Sequence, residues 1–199
     1  MNTIFISSVA TGGKDTLYKV LSHIFKDKIH LEQRAFANEL KLNLDGFCRQ
    51  HFGISAFTTI PKEKELIRPI FVEFGLIKRT ISKGTYWWKL LEPQIRESIE
   101  QGSLPVITDL RYALYPEDEH FFAKNIMDGV IIHVTRYNKD GSKVLAPNSQ
   151  ERENDPKLEA IADYKLQWST SDNFDFLVDT VKTQLSGLIE RINIKYGIK

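Results

Sequence analysis

The strongest constraint on this chain lies near its start, where a short apolar run meets a glycine-containing turn and then an amphipathic period. Residues 3–8, TIFISS, are apolar and β-branched enough for a short buried strand. Between residues 14 and 27, Leu17, Val20, Leu21, Ile24 and Phe25 recur at helical spacing and lay one apolar stripe along a helix. A strand passed through a tight turn into a helix opens a βα unit, and the rest of the chain repeats that alternation. Strands are predicted at 30–37, 104–110, 129–135 and 175–178. Helices are predicted at 38–52, in part of 58–75 with Pro61 starting or Pro69 interrupting it, at 85–101 with Thr85 as N-cap and Pro93 as a kink, at 116–127, and at the C-terminus through Val181, Leu185, Leu188, Ile189 and Ile192. Residues 137–155 are the most polar stretch and read as a mobile loop. Alternating strands and helices predict an α/β domain with a mainly parallel sheet, whose ligands sit beyond the carboxyl ends of the strands.

Composition narrows the class. With 199 residues the chain is one sizeable domain, and a formal net charge of +1 supplies no overall field for nucleic acid or a membrane surface. A single cysteine, Cys48, cannot form an internal disulfide, which fits a reducing compartment. The segment MNTIFISSVA has no basic n-region and too short an apolar run for a secretory leader, so a cytoplasmic protein is expected. Nothing in the sequence reads out an oligomeric state.

The turn itself carries chemistry. Residues 7–16 read SSVATGGKDT, against the phosphate-loop pattern G-x-x-x-x-G-K-[ST] between a strand and a helix. Gly13 and Lys14 match the G-K pair, and the strand–turn–helix context is the required one. Backbone N–H groups of Ala10, Thr11, Gly12, Gly13, Lys14, Asp15 and Thr16 converge at a helix N-terminus, and the Lys14 ammonium adds a full charge, so an anion is expected there. Two departures stand out: Ser8 replaces the first glycine, and Asp15 takes the Ser/Thr place that ordinarily holds a metal, with Thr16 one position later. A Gly-rich turn with a surface lysine is the plainer alternative.

With these residues in view, the chain resembles the bacteriophage-type deoxynucleoside monophosphate kinases. GKDT after a strand resembles their loop, where Asp likewise occupies the Ser/Thr place. RAFANELK at 34–41, FGLIKRTISKGTYWWKLL at 74–91, and VITDLRYALYPEDEHFFAKNIMDGVIIHVTR at 106–136 resemble three further segments of that family, in the same order. The resemblance covers the chain to about residue 136 and thins beyond it. It implies a three-layer α/β/α P-loop kinase fold over 1–199 with a lid at 137–155, bound ATP and Mg²⁺, and a nucleoside monophosphate acceptor. By position, Gly13, Lys14, Asp15 and Thr16 would hold donor phosphates, and Asp109 would direct the metal. Arg111 would meet an acceptor or transferring phosphate.

The residues alone support the same parts list. Phosphoryl transfer asks a protein for positioning and charge neutralisation, and Lys14, a metal-directed carboxylate at Asp109 or Asp15, and arginine forks supply them. Arg111, two residues past Asp109 at a strand end, is the first candidate. Arg68, Arg79 and Arg136 come second: the first two flank an apolar segment placed to cover an acceptor, and Arg136 ends a strand and opens the polar stretch. Each alone is more often a solvated arginine, and at least one of the three is expected in the site. Arg34 and Lys41 are weaker. Trp87 and Trp88 are expected to pack on the sheet, Glu117, Asp118 and Glu119 to answer a helix dipole, and His133 to sit in the core. No Ser-His-Asp arrangement is evident. Two other functions stay open: a P-loop kinase of a different small molecule, and a nucleotide-binding regulator without turnover.

Overall fold

A computed structural model describes residues 2–198. Five strands, β1 (Ile4–Ser7), β2 (Leu31–Arg34), β3 (Leu104–Leu110), β4 (Val130–Tyr137) and β5 (Tyr164–Ser169), form one all-parallel sheet in the order β2-β3-β1-β4-β5. β1 and β3 are buried along their whole length, as strands covered on both faces must be. Alternation along β1 splits the core: Ile4 and Ile6 face one apolar cluster, Phe5 the other. The first cluster takes in α1 (Lys14–Ile24), α7 (Phe174–Gln184) and α8 (Ser186–Tyr196), the second α2 (Phe36–Phe52), α4 (Thr85–Glu100) and α6 (Ser149–Ile161). The result is three layers, α/β/α. Trp88 stacks on Phe122 with centroids 5.1 Å apart, and both tryptophans of α4 are core residues.

Several local expectations are corrected. α3 (Pro61–Ser82) starts with Pro61 in its first turn and runs unbroken through Pro69. That proline forfeits one amide, at an exposed position, in a helix of 22 residues with many other bonds. α4 likewise continues through Pro93, and its N-cap is Gly84 at φ 94° rather than Thr85, whose hydroxyl turns back to the Ser82 carbonyl. The helix expected at 116–127 shrinks to α5 (Glu119–Phe121) and a π-turn at Phe122–Ile126, because Asp118 caps it late.

The larger corrections lie beyond residue 135. β4 continues to Tyr137 because β5 pairs with it to the end, matching Arg136 with Trp168 and Tyr137 with Ser169. Residues 137–155 are not a loop throughout: Tyr137 bridges Lys143 in a tight antiparallel turn, and α6 begins at Ser149 under an Asn148 cap. The strand expected at 175–178 is the start of α7, and the true last strand, β5, lies earlier. The C-terminal helix is two, broken at Leu185.

Candidate functional site

The turn after β1 is shaped by two glycines with different jobs. Gly13 caps α1 at φ 99°, and a Cβ there would lie 2.7 Å from the Trp168 ring. Gly12 leaves room for Ser8: a Cβ on residue 12 would fall 1.7 Å from Ser8 Oγ and 2.9 Å from the Val9 carbonyl. The serine that departs from the usual pattern thus fills the space that Gly12 vacates. Thr11 takes φ 61° at the exposed tip, and Gly12 N–H donates to Val9 O at 3.0 Å. Lys14 is buried and folds back into the turn, donating from Nζ to Ser8 O and Val9 O, each at 2.8 Å. Burial, seconded by the Arg111 charge, lowers the Lys14 pKa to about 8 against the pull of Glu151, Asp109 and Asp15. Ala10 N–H donates to Glu151 Oε2 at 2.6 Å. Thr16 is half-buried in the first turn of α1.

Beside this turn, the carboxyl ends of β2 and β3 and the start of α2 enclose a cleft of about 410 Å³, lined by Lys14, Asp15, Gln33, Lys41, Asp109 and Arg111 among others. Asp109 is committed to the scaffold as well as the cleft. Its two oxygens accept from Phe36 N–H and Ala37 N–H, each at 2.9 Å, so it hangs the first turn of α2 from β3. Burial raises its pKa, while Arg111, the two amides and Lys14 favour the charged form. Asp15, exposed, accepts from Gln33 Nε2 at 3.1 Å, and the same amide reaches Thr108 Oγ1 at 3.1 Å. Magnesium keeps most of its water and takes one or two carboxylates plus phosphate oxygens. Asp15 and Asp109 on one cleft fit that need, and among the described residues no group of three His, Cys, Asp or Glu forms a fuller cage.

Arg111 leaves the end of β3 half-exposed, with Nη1 3.4 Å from Glu151 Oε1. Its backbone is held firmly: Glu119 Oε2 accepts from Arg111 N–H at 2.8 Å and from Tyr112 N–H at 3.1 Å. Glu119 Oε1 pairs with Arg79 Nη2 at 2.5 Å, Asp118 takes Nη1, and the Arg79 guanidinium lies 3.6 Å from the Tyr112 ring centre. Burial lifts the Glu119 carboxyl to about 7, with Arg79 opposing.

Arg79 is therefore a correction. At 4% exposure its fork is turned to two buried carboxylates, and it does not line the cleft. Arg68 pairs with Glu65 at 2.6 Å on the open face of α3 and does not line the cleft. Arg136 lies within β4, on the β5 side of the turn and outside the cleft; its Nε is buried without a partner. The acidic run answers more than a helix dipole, since Asp118 and Glu119 are buried. His133 is buried in the core as expected; its Nδ1 meets Ser7 Oγ at 3.0 Å, while its Nε2 stands 3.7 Å from Asp155 without a hydrogen-bond partner. Sequence reasoning also missed Gln33, Thr108 and Glu151. Only Glu151 had a signal, an Asn three residues before a Glu at a helix start.

A five-stranded parallel sheet in the order 2-3-1-4-5, between two helical layers and with a glycine turn carrying a lysine after its central strand, is an α/β/α fold like that of P-loop kinases. No protein-family model and no curated protein matches the chain. Among solved structures it is similar to a dephospho-CoA kinase from Campylobacter jejuni, at 16% identity over 96% of each chain with a TM-score of 0.39. That superposition is too loose to weigh, and the fold likeness stands on strand order, layers and the turn. No helix among the described residues is long and apolar enough to cross a membrane.

Proposed function

We propose that this protein is an ATP-dependent phosphotransferase whose acceptor is a nucleoside or deoxynucleoside monophosphate. One observation carries the reading: Lys14 from the start of α1, and Asp109 and Arg111 from the end of β3, line a single polar cleft that opens beside the phosphate turn. Lys14 supplies charge to the donor phosphates, and Arg111, free enough to move, meets the acceptor or the phosphoryl group in transit. Asp109 sets the wall of the cleft through α2 and, with Asp15, would hold Mg²⁺. The metal would supply neutralisation of phosphate charge. Gln33, Thr108, Lys41 and Asn38 offer an acceptor polar contacts rather than an apolar slot.

A coupled assay with ATP and a panel of ribo- and deoxynucleoside monophosphates tests the reading. Turnover on at least one monophosphate is expected; turnover confined to another class of phosphate or alcohol would redirect it to a different small-molecule kinase. A regulator that binds nucleotide without turnover is the second reading, favoured by the carboxylate of Glu151 in the turn. ATP binding with no transfer across the panel selects it.

A further inference from the structure

In a turn of this kind the backbone N–H groups await a phosphate oxygen. Here Ala10 N–H is already served, by Glu151 Oε2 at 2.6 Å, while the other oxygen of that carboxylate faces Arg111 Nη1 at 3.4 Å. A loop amide and an arginine fork sharing one anion is the grip that a phosphoryl group receives. The Glu151 side chain is 12% exposed and its charge lies close enough to act on Lys14. Ser8 Oγ, buried within the same turn, has no hydrogen-bond partner, so the turn holds a donor that the carboxylate does not satisfy.

We infer that Glu151 is an internal stand-in for phosphate, an inhibitory plug that a bound polyphosphate must displace. The side chain has somewhere else to go. Glu151 is the third residue of α6, and Asn148 Oδ1 caps its N–H at 2.8 Å. A glutamate at that position ordinarily turns back to the N–H of its own capping residue. Glu151 instead sends Oε2 across 141 residues of sequence to the turn, while Oε1 accepts from Asn148 Nδ2 at 3.2 Å, and release lets the carboxylate turn to the Asn148 backbone N–H and complete the capping box. The helix that carries it is lightly held. Only Asn154 and Leu158 of α6 are buried, and Pro156 inside it removes one helical amide bond. Elements with few buried contacts open most readily.

Glu151 can play this part only if the turn is a phosphate site, as proposed above, so the probe separates the two claims. Inorganic pyrophosphate is titrated calorimetrically into the wild-type protein and the Glu151→Gln and Glu151→Ala variants, and Ala10 amide exchange is followed without ligand. Pyrophosphate is expected to bind both variants about tenfold more tightly, the size of an ordinary coupling between competing sites. Ala10 should exchange faster in the Ala variant and regain protection with pyrophosphate. Equal or weaker binding by Glu151→Gln, which keeps the side-chain length, overturns the plug, as does unchanged Ala10 exchange in Glu151→Ala or the absence of binding by all three proteins. If the variants gain pyrophosphate affinity and yet no form phosphorylates any monophosphate, the plug stands and the phosphotransferase reading falls.

Discussion

Arg79 and Arg111 sit on either side of Glu119 and have opposite fates. Arg79 is sealed between Asp118 and Glu119, with its guanidinium face on Tyr112. Arg111 has the same fork, yet it is half-exposed and meets Glu151 only at 3.4 Å. The first holds the segment after β3 in place; the second is carried by that segment into the cleft. Glu119 joins the two roles, one oxygen on the Arg79 side chain and the other on the Arg111 backbone. A buried arginine paired with two buried carboxylates serves the scaffold, whereas one with loose pairing at a strand end is available to a ligand.

Replacing Arg79 should expose this division most forcefully. Arg79→Ala leaves two buried carboxylates unpaired, and removal of one partner from a buried charge cluster costs about 3–5 kcal/mol. Urea unfolding should show that loss. A change within about 0.5 kcal/mol, the range of ordinary surface substitutions, would place Arg79 outside the scaffold.

Arg111→Ala reverses the pattern. Stability should hold, while turnover on the best monophosphate falls on the order of 10²-fold with ATP affinity little changed, as for a donor that acts mainly in the transition state. Lys14→Ala, measured alongside, should abolish transfer and weaken ATP binding too. Full turnover in the Arg111 variant would remove it from the site.

The smallest effect is a pH dependence at Lys14, whose pKa is lowered to about 8 by burial and Arg111. Pyrophosphate affinity should fall as pH rises through 8, because the ammonium is lost. Folding stability should move the other way. Between about 8 and the ordinary lysine value of 10.5 the unfolded chain binds the extra proton, so stability rises with pH across that window. The wild-type minus Lys14→Met difference isolates the term in both measurements; opposite slopes are expected, and parallel slopes would refute the burial of a charged Lys14.

What could be read from the sequence followed the range of the interactions. The strand at 3–8, the turn, α1 and β3 rest on local patterns, and Lys14, Asp109 and Arg111 are named by their positions at strand ends. Arg79 resembled Arg68 on paper because its partners lie 39 and 40 residues away. β5 was legible but overlooked: YKLQWS alternates apolar and polar residues, the pattern of a half-buried edge strand, with Leu166 and Trp168 buried. The apolar start of α7 then looked like the missing strand. α6 has too few buried apolar residues to announce itself, and only its cap was legible.

The contact of Gly13 with Trp168 gives the turn an optical reporter. Trp168 lies in the apolar layer with α1, whereas Trp87 and Trp88 occupy the opposite layer of the sheet. Indole emission follows the polarity and packing around the ring, so with phenylalanine at positions 87 and 88 the remaining fluorescence comes from an indole resting on the glycine that caps α1. Ligand arrival at the turn becomes a stopped-flow signal with no label attached, read from a ring packed against the glycine that caps α1.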